Sequence, residues 1–172
     1  MAENIKKSGC KAVFAGMFDP VTAGHIDIIK RAAALFGEIH VLIAKNPEKS
    51  SMFSEDDRKR MIEAAVSEIG IADRVKCSVW QRPVFEYCRE ISASVIVKGI
   101  RNAADFDYEK VLAKQTESLC PEIETVCLIS NGKYDYLSST YVKGCIEYGL
   151  PLGESVPEAA LKIIKEIIPE VR

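Results

Sequence analysis

Five short apolar runs rich in β-branched residues alternate along this chain with segments of helical periodicity, and that alternation leaves few folds open. The runs are Lys11–Ala15, Ile39–Ala44, Val75–Trp80, Val95–Lys98 and Thr125–Ile129. Between them apolar residues recur at three- and four-residue spacing, the mark of a helix with one buried face. Helices are predicted over Gly24–Phe36, from just after Phe53, and over Val84–Ile91, Ala104–Leu119, Ser139–Tyr148 and Glu158–Ile168. Ile28, Ile29, Ala32 and Leu35 share the apolar face of the first; Met61, Ile62, Ala65 and Ile69 share that of the second. Ser54 followed by Glu55, Asp56 and Asp57 reads as an N-cap with an acidic first turn. Strand alternating with helix specifies an α/β protein with a parallel sheet. Runs such as Val95-Ile96-Val97, with no polar alternation, suit strands covered on both faces. The expectation is a single domain of 172 residues on a five-stranded parallel sheet, with helices on both faces and residues 1–10 as a flexible N-terminal extension. Charged and apolar residues within Ala104–Leu119 suit either an interface or a core helix.

Charge narrows the partners. With 23 Lys+Arg against 25 Asp+Glu the formal charge is −2, and no long basic run is present, so a nucleic-acid binder is not expected. A local phosphate site needs only a few placed donors and stays open. No apolar run approaches the roughly 18–20 residues of a membrane span. Residues 1–11 lack an apolar core followed by a small-residue cleavage site, so secretion is not expected. The six cysteines, at 10, 77, 88, 120, 127 and 145, form no Cys-x-x-Cys pair, and the chain has two histidines. Reduced, partly buried thiols of a cytoplasmic protein are expected rather than a zinc site.

In a parallel α/β sheet ligands bind beyond the carboxyl ends of the strands, so the residues after each strand matter most. After the first come Gly16 through His25, with Asp19-Pro20 for a fixed loop and Gly24 for close backbone approach. His25 falls at a helix N-terminus, where unpaired N–H groups attract anions; it serves either a phosphate or only the helix cap. Lys45-Asn46-Pro47-Glu48-Lys49 follows the second strand, a loop whose lysines are either solvated or functional. Lys98-Gly99-Ile100-Arg101 ends the fourth, as a phosphate grip or a solvated strand end. Ser138-Ser139-Thr140 opens a helix, as a hydroxyl cradle or ordinary caps. Four junctions supplying donors at one edge of one sheet are best explained together, by a nucleoside triphosphate site. The chain lacks Gly-x-x-x-x-Gly-Lys-[Ser/Thr], Gly-x-Gly-x-x-Gly and Gly-x-Ser-x-Gly, which argues against a P-loop NTPase, a dehydrogenase and a serine hydrolase. His40, inside a strand, reads as structural.

Thr22-Ala23-Gly24-His25 resembles the T/H-x-G-H signature of the nucleotidylyltransferase superfamily, and Ser138-Ser139-Thr140-Tyr141-Val142-Lys143 resembles its second signature. Lys98-Gly99-Ile100-Arg101 followed by Asp105-Phe106-Asp107-Tyr108-Glu109 resembles the pattern of the bacterial phosphopantetheine adenylyltransferase family, from about Lys11 to the last helix. The resemblance implies a Rossmann-like fold and transfer of AMP from ATP to 4′-phosphopantetheine, giving dephospho-coenzyme A and pyrophosphate. It also implies Mg²⁺ with ATP as co-substrate, a cytoplasmic location and a homohexamer. Carried over by position, the catalytic residues would be His25, Lys49, Lys98 and Arg101. ATP would be bound by Phe18, His25, Gly99, Ile100, Arg101 and Glu109, and by Tyr134, Asp135, Tyr136, Leu137, Ser138, Ser139 and Thr140. Met17, Lys49, Val84 and Lys98 would bind the acceptor, and no metal ligand is implied.

The chain departs from the family pattern at three places. Met17 stands where the family usually has threonine, Lys98 replaces an arginine, and Trp80-Gln81-Arg82-Pro83-Val84 differs from the usual glycine-leucine-leucine-like stretch. Two alternatives stay open on the sequence alone: a related nucleotidylyltransferase with another phosphate acceptor, and a nucleotide-binding regulator with weakened catalysis.

Overall fold

A computed structural model describes residues 9–44 and 51–172. Its strands are β1 (Lys11–Gly16), β2 (Glu38–Ala44), β3 (Val75–Trp80), β4 (Val95–Ile100) and β5 (Glu124–Ile129). Six helices of more than one turn follow or separate them: α1 (Ala23–Phe36), α2 (Glu55–Glu68), α3 (Val84–Ile91), α4 (Ala103–Leu119), α5 (Ser139–Glu147) and α6 (Glu158–Ile167). All pairings are parallel, in the order β3-β2-β1-β4-β5. The five strands, their parallel sense and the Rossmann-like class agree with expectation. Residues 1–8 of the expected extension lie outside the described residues.

The period of two along each strand sorts side chains to two faces. Ala12 and Phe14 of β1, Ile39, Val41 and Ile43 of β2 and Val97 of β4 pack in one core with buried residues of α1, α2, α5 and α6. Val13, Leu42 and Ile96 face the other way, against Tyr87 and Cys88 of α3 and Cys120 and Ile123 beyond α4. His40 lies on this second face, where Nδ1 is 2.9 Å from Tyr87 Oη and Nε2 2.9 Å from Glu38 Oε1, a structural role as expected.

The caps explain the helix starts. Ser54 accepts from Asp57 N–H at 3.1 Å, and Asn102 accepts from Asp105 N–H at 2.9 Å. Two helix faces differ from the sequence reading. Leu35 is 46% exposed because it sits at the edge of the buried arc, two residues before Gly37 ends α1; Ile26 and Ala33 are buried instead. Ile69 follows α2 as its C-cap and is exposed, with Val66 taking the buried position. β4 runs two residues beyond its predicted end, so Gly99 and Ile100 belong to the strand. Helix α4 buries none of its residues, which excludes a core helix in the isolated chain.

Because β1 lies between β2 and β4, the chain leaving β1 and the chain leaving β4 diverge to opposite sides of the sheet. A crevice opens at that point, as the doubly wound topology requires.

Candidate active site

The crevice holds a cavity of about 400 Å³. Its walls come from the end of β1, the start of α1, the end of β4, the first turns of α4 and the start of α5. Most of the residues singled out from the sequence meet there: Phe18, His25, Lys98, Gly99, Arg101 and Glu109, with Tyr134, Leu137, Ser138 and Ser139. Met17, Ile100, Asp135, Tyr136 and Thr140 do not border it. Ile100 is buried, and Tyr136 packs edge-on against Tyr141, 5.7 Å away. Lys49, with the rest of residues 45–50, lies outside the described residues.

His25 owes its orientation to a reciprocal cap. Thr22 Oγ1 accepts from His25 N–H at 3.3 Å, while His25 Nδ1 accepts from Thr22 N–H at 3.1 Å. An Nδ1 that accepts places the proton of the neutral ring on Nε2. Phe18, buried and in the left-handed region at φ 48°, sets its ring edge-to-face on His25 at 5.0 Å. Burial, and then the positive charge of Arg101, pull the His25 pKa from 6.5 to about 4. Near neutral pH the site therefore presents an uncharged N–H donor, suited to hydrogen-bonding phosphate oxygens without forming a fixed ion pair.

Glycines shape the floor for steric reasons. A Cβ on Gly16 would come within 3.1 Å of the Phe18 ring, and one on Gly99 within 3.1 Å of Ile28 Cγ1. The first loop thus needs glycine at 16 to let Phe18 lie across it.

Both cations of the β4 end are already paired with carboxylates of α4. Lys98 Nζ sits 2.8 Å from Glu109 Oε2. Arg101 makes a two-pronged contact with Asp105, Nε to Oδ2 at 2.9 Å and Nη2 to Oδ1 at 3.1 Å, and donates from Nη1 to Leu137 C=O at 2.9 Å. Burial opposes the charge of Asp105, yet hydrogen bonds from the Arg101 side chain and backbone hold its carboxyl below the usual range. The family pattern assigns Asp105 no role, and its i, i+4 spacing from Arg101 is the local signal for this pair. Ser138 and Ser139 also have prior engagements. Ser138 Oγ accepts from Tyr141 N–H at 3.0 Å, and Ser139 Oγ donates to Pro20 C=O at 2.8 Å. The donors left at this corner are the Ser138 hydroxyl and the backbone N–H groups of Ser139 and Thr140 at the start of α5.

A second cavity of about 220 Å³ adjoins, lined by Val84 and Phe85 of α3, Ile96, and Leu112, Ala113 and Thr116 of α4 among others. Lys98 borders both cavities. The altered stretch before α3 is well braced: Trp80 Nε1–H donates to Pro83 C=O at 3.1 Å, and the Arg82 guanidinium lies 4.6 Å over the Trp80 ring. Among the described residues, no group of three His, Cys, Asp or Glu side chains is arranged to hold a metal ion.

The cytidylyltransferase-like family model matches residues 13–144, which span both the loop after β1 and the start of α5. The chain belongs to this family. It is 40% identical over 160 residues to a phosphopantetheine adenylyltransferase of Clostridium novyi, covering 93% of this chain and 96% of the relative. A protein of the same name from Alkaliphilus metalliredigens is 38% identical over 154 residues, covering 90% and 96%. Relatives so named bear out the resemblance drawn from the motifs. Among solved structures, a bifunctional NMN adenylyltransferase/ADP ribose pyrophosphatase from Francisella tularensis matches with a TM-score of 0.69 at 18% identity. That match covers 92% of this chain but half of the other, and it speaks for the shared fold.

Proposed function

We propose that this chain is a phosphopantetheine adenylyltransferase, transferring AMP from ATP to 4′-phosphopantetheine and releasing pyrophosphate. A phosphate oxygen of the acceptor attacks the α-phosphorus of ATP. The bond from that phosphorus to the bridging oxygen breaks, and pyrophosphate leaves. The attacking phosphate is already ionised, so the reaction requires neither a side-chain nucleophile nor a strong base; positioning and charge stabilisation suffice. The observation that carries this reading is Lys98, which borders both the crevice of about 400 Å³ and the smaller, largely apolar cavity of about 220 Å³ beside α3. A phosphate headed by a flexible arm matches that arrangement, with the phosphate at Lys98 and the arm against Val84, Phe85 and Leu112.

His25 Nε2–H and the N–H groups of the first turn of α5 would hold the triphosphate of ATP, with Arg101 at the strand end. Lys49 would join Lys98 on the acceptor phosphate. Mg²⁺ would arrive on the ATP phosphates as part of the substrate, in keeping with a site built of cations and backbone donors. Exposed Val111 and Leu119 on α4 and Ile129 on β5 support burial of that side in a homo-oligomer, a hexamer by resemblance. Six cysteines with no Cys-x-x-Cys pair support a reducing, cytoplasmic location.

The test is pyrophosphate release from MgATP with and without 4′-phosphopantetheine. Release is expected only with the acceptor, and the His25→Ala variant should lose at least about a hundredfold, the usual cost of a missing transition-state donor. Nucleotide binding without release would overturn the proposal.

A further inference from the structure

A buried carboxylate that the reaction does not use stands where the first loop, the chain entering α2 and helix α5 converge. Asp19 is 1% exposed, and its two oxygens take three donors. Oδ1 accepts from Phe53 N–H at 3.0 Å and Oδ2 from Met52 N–H at 3.0 Å. From the other side, Lys143 Nζ donates to Oδ2 at 3.3 Å, across 124 residues of sequence. The loop around Asp19 is held from the same two directions. Arg58 of α2, itself 2% exposed, donates to Met17 C=O at 2.8 Å, and Ser139 of α5 donates to Pro20 C=O at 2.8 Å.

A carboxylate so deeply buried is costly unless its lone pairs are filled; here Met52 and Phe53 supply donors from the chain entering α2, and Lys143 supplies one from α5, whose start borders the cavity. Next to Asp19 in sequence, Phe18 supports the His25 ring at 5.0 Å. One turn before Lys143 on α5 lies Ser139, at the cavity wall. Neither Asp19 nor Lys143 borders the cavity itself.

We propose that Asp19 and Lys143 form a positioning pair that locks the loop carrying Phe18 to the first turn of α5. The lock sets the separation between His25 and the α5 N–H groups, the two sides that grip the triphosphate. It rests on the adenylyl-transfer reading above. Because the pair shapes the reacting geometry without touching substrate, its loss lowers kcat and leaves both KM values nearly unchanged.

The experiment measures steady-state pyrophosphate release for the wild-type chain, Asp19→Asn, Lys143→Met, Lys143→Arg and the Asp19→Asn/Lys143→Met double variant, with thermal midpoints followed by circular dichroism. Lys143→Met is expected to lower kcat about tenfold with KM for MgATP and acceptor within threefold. Lys143→Arg, which keeps the charge, should return kcat to within twofold of wild type. Asp19→Asn should lose at least as much as Lys143→Met, and the double variant no more than Asp19→Asn. Should Asp19→Asn not fold, the two Lys143 variants carry the test, since that side chain is partly exposed. A Lys143→Met kcat within twofold of wild type overturns the assignment. So does a loss seen only as a fraction of unfolded protein, or a double variant whose losses multiply. A wild-type chain that releases no pyrophosphate overturns the functional reading and this assignment with it.

Discussion

Acidification from neutral pH to pH 5 should destabilise this protein through His25. Its pKa falls from 6.5 to about 4 in the folded chain because the ring is buried and then because Arg101 repels a second positive charge. Between those two values the unfolded chain binds the proton and the folded chain does not, so stability falls as pH drops from 6.5 towards 4. At about 1.4 kcal/mol per pH unit the full loss is about 3 kcal/mol, and about 2 kcal/mol of it is reached by pH 5. For a chain of this size that corresponds to a fall of roughly 4–8 °C in thermal midpoint. The control is His25→Gln, since glutamine at this position of a capping box can still accept from Thr22 N–H while carrying no titrating group. Thermal unfolding of both proteins at pH 7.5 and pH 5.0 should show the wild type losing about 2 kcal/mol more than the variant. Proton NMR of the ring, followed over the same range, reads the pKa directly. Equal losses in the two proteins, or a His25 ring that titrates near 6.5, would refute the reasoning and with it the neutral N–H donor at the site.

Three further outcomes test the reading, the first from the family resemblance and the others from the structure. Met17→Thr restores a hydroxyl of the kind the family usually has and should raise turnover in the pyrophosphate assay; an unchanged or lower rate removes the idea that Met17 is a deficit. Lys98→Arg restores a planar two-pronged donor in place of a point charge, and should lower KM for 4′-phosphopantetheine about fivefold, the effect of about 1 kcal/mol; an unchanged KM would show that charge alone suffices. Val111→Glu, on the exposed face of α4, should shift mass by light scattering from an oligomer to smaller species, whereas an unaltered mass would place the interface elsewhere.

Residues that act locally were legible in the sequence. Ser54 caps α2 as its position predicts; α3 has its predicted bounds, Val84–Ile91; and the five strands follow from β-branched apolar runs. His25 at a helix start, and Lys98 and Arg101 at a strand end, were also readable, because the turn chemistry and the sheet rule place such positions at one edge. What the sequence could not show was which partner each group takes. Nothing local says that Lys98 meets Glu109, that Ser139 spends its hydroxyl on Pro20 rather than on a ligand, or that Thr140 and Tyr136 do not border the cavity. Leu35 falls outside the buried face for the same reason: periodicity gives a face, but the neighbour that covers it decides where the face ends.

By itself, then, the sequence determined the elements, their alternation and the family signature, since these depend on backbone preference and on side chains a few residues apart. Only the tertiary structure decided the strand order that opens the crevice, the second cavity that shares Lys98, and the buried Asp19 joined to Lys143. Those features are contacts across tens to more than a hundred residues. They exist because burying two faces of one sheet brings distant segments together, and a buried charge or hydroxyl must take whatever partner that packing supplies.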